Sequence, residues 1–231
     1  MMNPIFSVLL VVNNDIATIA ETLDSVLKQD YKYYEVIIID NASTDGSNKI
    51  CKDAVAGKEN VIFKKLYSKV TNADAWNMAL DMAQGQYVSF LKGNDWFFAG
   101  ALSSIWRINE RQQTNITHLF AWIEEDARGE IFLGGKKFIE RRDAHFQKTT
   151  DWMTKSSDGV EALKFLNAGE INRFLGTKFF KHEFLLDKGI KFDEQLADDK
   201  SEFFFQMECF LKADNFVYVG SSFYVAPKKS A

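Results

Sequence analysis

Carboxylate and amide side chains fall in short clusters along this sequence, and their types and spacing allow only a few kinds of chemistry. Asp40 follows the apolar run EVIII at 35–39 and opens the stretch Asn41-Ala-Ser-Thr-Asp45-Gly46. A carboxylate at a strand exit can accept the N–H of a base or the hydroxyls of a ribose. The same residue types cap helices and close Asx turns, so Asp40 is open between binding and capping. Asp45, in an Asp-Gly step before a helix, reads first as a cap. Asn13-Asn14-Asp15 carries the same ambiguity. Asp95, after Gly93 and Asn94, offers one carboxylate to a divalent ion or a sugar hydroxyl, or else closes a turn. Asp193, Glu194, Asp198, Asp199 and Glu202 lead into a Phe-rich run. A general base is a carboxylate held near an acceptor hydroxyl. Glu202 falls where a helix's first turn stabilises negative charge, and helix capping is the plain alternative for the cluster.

The elements that must position these groups alternate. Ile5–Val12 is almost continuously apolar, as in a strand covered on both faces. Thr18–Gln29 carries Ile19, Leu23, Val26 and Leu27 at helical spacing. Glu35–Ile39 is the second strand, Ser47–Ala56 the second helix and Val61–Phe63 a short third strand. Thr71–Gln84 is the third helix, with Gly85 as its stop, and Gln86–Leu91 is the fourth strand. Such alternation with short links predicts an α/β fold with a mostly parallel sheet and right-handed crossovers. Ligands of such sheets lie beyond the carboxyl ends of the strands. That places the clusters after strands one, two and four at one edge. Beyond Asp95, helices are expected at 101–111, 160–167, 179–188 and 201–213, and strands at 116–123, 130–133 and 216–219. The stretch 134–158 is poorly patterned. A single unit is expected, with 1–95 as its parallel-sheet half, where the ligand edge lies, and 96–231 as the other half.

Composition removes several function classes. The chain has 231 residues, 46% apolar and 26% charged, with a formal net charge of -4. This is globular composition, without the basic surplus that nucleic acid or an anionic membrane attracts. No GxGxxG or GxxxxGK[ST] loop, HExxH helix or Gly-x-Ser-x-Gly elbow occurs. Cys51 and Cys209 lack metal-ligand spacing and read as buried thiols, which fits a reducing compartment. His118, His145 and His182 are isolated. The opening apolar run is too short to span a bilayer and reads as a strand rather than a leader. The expectation is a cytoplasmic protein without a transmembrane segment, peripheral membrane association remaining open.

The sequence resembles the inverting glycosyltransferases of family two, which have the GT-A fold. The resemblance rests on FSVLLVVNN, on ETLDSVLKQDYKYYEVIIIDNASTDGS from Glu21 to Ser47, and on NADAWNMALDMAQGQYVSFLKGNDWF. GTKFFKHEFLLDKGIKFDEQL and SEFFFQMECFLKAD extend it. It covers about residues 5–219 and implies a nucleoside-diphosphate-sugar donor, a UDP-sugar first, and a saccharide or other hydroxyl acceptor, with no nucleic-acid partner. By the family pattern, Asp40 and Asp45 match nucleotide-site aspartates. Val12, Asn14, Asn41 and Asn77 complete the expected nucleotide contacts. The family's Asp-x-Asp motif falls on Lys92, Gly93 and Asn94, with Asp95 just beyond, so both ligand aspartates are missing. Trp76 stands where the family usually has Arg. Asp95 is then the single candidate ligand for a weakly held Mn²⁺ or Mg²⁺. The catalytic carboxylate matches Glu202 on the spacing to Phe205, and Asp198-Asp199 is the alternative. Two functions follow: glycosyl transfer, or nucleotide and saccharide binding without turnover on a transferase scaffold.

Overall fold

The computed structural model describes residues 3–119, 123–125, 131–133, 136–138, 155–157, 174–219 and 224–225. In chain order the elements are β1 (Phe6–Val12), α1 (Ile19–Leu27), β2 (Tyr34–Asp40), α2 (Ser47–Val55), β3 (Val61–Lys65), α3 (Asn72–Met82), β4 (Tyr87–Lys92), β5 (Trp96–Phe97) and α4 (Ala101–Gln112). Then come β6 (Ile116–Leu119), β7 (Ile123–Glu125), β8 (Ile131–Leu133), β9 (Lys136–Phe138), β10 (Lys155–Ser157), a 3₁₀ turn (Leu175–Thr177), β11 (Lys178–Lys181), α5 (His182–Lys188), α6 (Asp198–Lys212), β12 (Phe216–Val219) and β13 (Tyr224–Val225).

Eight strands form the main sheet in the order β10-β12-β6-β11-β4-β1-β2-β3. β1 pairs in parallel with both β2 and β4, β2 with β3, and β12 with β6. β11 runs antiparallel between β4 and β6. A smaller sheet has the order β5-β13-β7-β8-β9. Every residue of β1 and β2 is buried, which is why these strands are continuously apolar rather than alternating. Alternate side chains feed two cores. Leu9, Val11, Ile37, Ile39 and Phe90 pack with Trp76 and Phe205 on one face. Phe6, Val8, Leu10, Val36 and Ile38 pack with Ile19, Leu23 and Ile105 on the other.

Several local expectations need correction. The segment 179–188 is not one helix: Lys178–Lys181 is a strand and only His182–Lys188 is helical. Phe179 and Phe180 enter opposite cores, and filling the gap between β4 and β6 outweighs a weak helical preference. The run 116–123 divides between β6 in the main sheet and β7 in the smaller one. Gly85 does not cap α3, which ends at Met82 with Ala83 as its cap. A Cβ at Gly85 would lie 2.5 Å from the Ser7 backbone nitrogen, so this glycine permits a close backbone approach. The helix expected at 160–167 lies outside the described residues.

Candidate functional site at the carboxyl edge of the sheet

Strand register assembles the edge. Val12 pairs with Asp40, Asp40 with Lys65, and Val11 with Lys92. The exits of β3, β2, β1 and β4 therefore open side by side. Their loops are stitched together by hydrogen bonds. Asn13 Nδ2 donates to the Asn41 carbonyl at 2.7 Å, and Thr44 N–H donates to Asn14 Oδ1 at 2.8 Å. Asn14 N–H reaches Ser43 Oγ at 3.1 Å. Asn14 and Ala42 hold positive φ values of 59° and 57°. Asparagine tolerates this backbone, whereas alanine is strained there, and such strain gathers at functional turns.

Asp40 is fully buried. Its Oδ1 accepts a long 3.4 Å hydrogen bond from Ser43 N–H, while Oδ2 is enclosed without a hydrogen-bond partner. A buried carboxylate oxygen left unpaired carries a desolvation cost. Asp45 differs: Oδ1 accepts from Ser47 N–H and Oγ, at 2.9 and 2.6 Å, and Oδ2 from Ile16 N–H at 2.9 Å. These bonds, the Ser47 hydroxyl first, hold its carboxyl below the usual range. The cap position of α2 is Gly46, without a side-chain cap; Asp45, one residue earlier, instead holds the first helical residue, Ser47, and ties this turn to the β1 exit.

The other amides are also engaged. Asn41 grips Val70 through both amide atoms, accepting from its N–H at 2.9 Å and donating to its carbonyl at 3.0 Å. Asn77 accepts from Phe192 N–H at 3.0 Å and donates to the Phe192 carbonyl at 2.9 Å and Glu194 Oε1 at 3.0 Å. It fastens α3 to the chain entering α6. Trp76 is buried against Phe90 and Phe192, so the family's arginine position is part of the aromatic core here.

At the β4 exit, Asp95 Oδ2 accepts from Lys92 N–H at 2.9 Å and closes the turn. Gly93 is pressed against the β1 exit: a Cβ there would lie 2.3 Å from Asp15 Oδ2. The Gly93 carbonyl accepts from the Thr18 and Thr22 hydroxyls at 2.8 and 3.0 Å. Burial, with a smaller contribution from Asp45, pushes the Asp15 carboxyl up against an opposing hydrogen bond from Asn13 N–H. Asn94 is half-buried in the same turn.

Glu202 comes to this edge from the far half of the chain. The α6 helix is seated by Phe205, whose ring stacks on Phe192 at 4.0 Å between centroids and meets Phe90 and Phe180 edge-on. One turn earlier, Glu202 faces Lys92, whose Nζ lies 2.8 Å from Oε1 and hydrogen-bonds Oε2 at 2.9 Å. Asp198 accepts from Asn72 N–H at 3.0 Å and joins the starts of α3 and α6. Asp199, in the same first turn, is exposed. Lys69 is a residue the sequence did not single out. Its Nζ donates to Asn13 Oδ1 at 2.8 Å. The strand read as ending at Phe63 runs on to Lys65, and with that the third exit belongs to the same edge.

The residues at the Asp-x-Asp position do not fit a divalent ion. Lys92 contributes an ammonium, Asn94 a neutral amide, and Asp95 already accepts from its own turn. Among the described residues, no three His, Cys, Asp or Glu side chains gather closely enough to hold a metal.

The family model for glycosyl transferase family 2 matches residues 7–169. The chain belongs to that family. Glycosyltransferase GlyG of Streptococcus pneumoniae serotype 4 is 22% identical over 162 residues, covering 68% of this chain and 54% of GlyG. The fold matches that of S. aureus TarS residues 1–349 in complex with UDP-GlcNAc, with a TM-score of 0.76 at 22% identity. That match covers 98% of this chain and 59% of the other. Mannosyltransferase PcManGT from Pyrobaculum calidifontis, solved with GDP-Man and Mn²⁺, matches with a TM-score of 0.61 at 18% identity, over 99% of this chain and 57% of that one. The chain thus spans little more than half the length of these relatives. Among the described residues, no helix is long and apolar enough to cross a membrane.

Proposed function

We infer that this member of the family transfers a sugar from a nucleoside-diphosphate sugar to an acceptor hydroxyl with inversion. The carrying observation is the enclosed, unpartnered Oδ2 of Asp40 at the carboxyl edge. It needs a donor hydrogen, and the N–H of a base supplies one. β1 lies between Asp40 and the Lys92 strand, a Cα separation of roughly 10 Å. On this reading the ribose spans that distance beside Val12 and Asn14, between a base on Asp40 and phosphates at Lys92. Asn41, Asp45 and Asn77 hold the surrounding turns. Uracil is the favoured base, in keeping with the UDP-GlcNAc bound by TarS.

In the reaction, Glu202 takes the acceptor hydroxyl's proton as its oxygen bonds the anomeric carbon. The bond from that carbon to the diphosphate breaks, and its electron pair leaves with the nucleoside diphosphate. The charge developing on the leaving group meets the Lys92 ammonium instead of a metal ion. The acceptor is a saccharide or another hydroxyl compound. Two buried free thiols, Cys51 and Cys209, suit a cytoplasmic setting.

A thermal-shift screen with UDP, GDP and their sugars, with and without Mn²⁺, tests this reading. Stabilisation by one nucleotide series without a metal requirement is expected. Absence of any shift would reject the nucleotide site. A metal-dependent shift lost in Asp95→Asn would return the metal role to Asp95. A second reading, binding without turnover, draws on the occupation of Glu202 by Lys92. Ligand stabilisation without sugar transfer to any saccharide acceptor favours it.

A further inference from the structure

Lys92 and Glu202 lie 110 residues apart in sequence, yet the ammonium faces both carboxylate oxygens at 2.8 and 2.9 Å. Under the proposed function the two ends of this pair have different tasks: one meets the donor's diphosphate, the other accepts the acceptor's proton. While they hold each other, neither task is open. Oε2 accepts a charge-assisted hydrogen bond from the ammonium, and the buried Oε1 lies against it as an ion pair without a hydrogen bond of its own.

We propose that the pair is a latch opened by the donor. A diphosphate arriving at the β4 exit draws Lys92 away, and Glu202 then becomes available to the acceptor hydroxyl. This inference rests on the assignment of the diphosphate to Lys92 and of the base to Glu202. The lysine is the partner that moves. Its side chain is 46% exposed on a flexible stem, whereas that of Glu202 is 12% exposed on a helix pinned by the Phe205 stack. A partly exposed pair is held weakly, so a diphosphate with two or more negative charges outcompetes one carboxylate. Catalysis therefore requires donor before acceptor, and release of the nucleoside diphosphate closes the latch again.

Linkage supplies the test. If diphosphate and Glu202 compete for one ammonium, removing either competitor favours the other. Glu202→Gln keeps the shape and removes the charge. It should tighten UDP binding by about threefold to tenfold in calorimetry and leave uridine binding unchanged. Lys92→Met should weaken UDP and spare uridine. In the double variant, Glu202→Gln should add nothing to Lys92→Met. Glu202→Ala serves as a second version if the glutamine variant melts early. GDP and guanosine run in parallel in case the base is guanine. Unchanged or weaker diphosphate binding in Glu202→Gln, with normal binding by the unaltered protein, would overturn the latch and leave the nucleotide site standing. Failure of both nucleoside diphosphates to bind the unaltered protein would remove the functional reading and the latch with it.

Discussion

The two halves of the carboxyl edge are held in different ways. On the β1–β2 side the turns are fixed to one another by short hydrogen bonds, with Asn13 on Asn41, Asn14 on Thr44 and Asp45 on Ile16 and Ser47. On the α6 side, Glu202 reaches the edge through a packed aromatic cluster and a single lysine. The first side holds one enclosed carboxylate oxygen without a partner, on Asp40. The second is a helix end whose Glu202 is paired with Lys92. Under the proposed function, nucleotide binding and proton transfer rest on these two supports, linked by that pair, and substitutions should tell them apart.

The largest effect should fall on chemistry. Glu202→Gln is expected to lower the sugar-transfer rate by about 10²–10⁴-fold, even though the freed Lys92 tightens its hold on UDP. Asp199→Asn should stay near the unaltered rate, since Asp199 is exposed and the ion pair at the edge is made by Glu202. Steady-state rates for both variants check this, and a reversed order would move the base to Asp199. On the other side, Asp40→Ala should weaken nucleotide binding by about 1.5–3 kcal/mol, the range for hydrogen bonds involving a charged group. Calorimetry showing unchanged affinity in a folded variant would remove Asp40 from the site.

Much of the first side was legible in the sequence and little of the second. Continuous burial makes β1 and β2 read as apolar runs, and helical periodicity marks α1 between them. Parallel pairing of such strands then brings Asp40, Val12 and Lys92 to one edge without further information. The turn at Asp45 was equally local in its residue types, but the cap position of α2 falls on Gly46, and Asp45 bonds Ser47 from one residue earlier. The Lys92–Glu202 pair had no local signal, since it depends on how α6 packs through Phe205 from the far half of the chain. The helical reading of 179–188 failed for a similar reason: burial of Phe179 and Phe180 on opposite faces of the sheet decides that segment. Asn77 was legible as a residue of note by resemblance, but its grip on Phe192 is tertiary.

Gly93 joins the two sides, and substitution there should have an intermediate effect. Its missing Cβ lets the β4 exit lie against Asp15. Gly93→Ala should destabilise the protein by about 1–3 kcal/mol through overpacking, read as a lower denaturant midpoint. Nucleotide affinity should also fall, because the turns after β1 and β4 are forced apart. An unchanged midpoint would mean that the Asp15 side chain swings away freely and the two exits are not clamped.

The smallest effect should come from Asp15 itself, and it has a defined pH dependence. Burial first, and then the Asp45 charge, raise its carboxyl above the ordinary value of 3.8, while Asn13 N–H works against them. The unfolded chain releases this proton near the ordinary value and the folded chain releases it at higher pH. Between those values the folded state holds more proton, so stability falls as pH rises through that window, and the deficit persists at neutral pH. Asp15→Asn removes the charge and keeps both the shape against Gly93 and an oxygen for the Asn13 N–H. The variant should therefore melt slightly higher than the unaltered protein at neutral pH. Its advantage should shrink as pH falls through the raised value toward 3.8. Paired melting curves across that range check the sign. An advantage that is independent of pH would assign the effect to packing, and a loss of stability at neutral pH would show that the charged form is needed to hold the Asn13 turn.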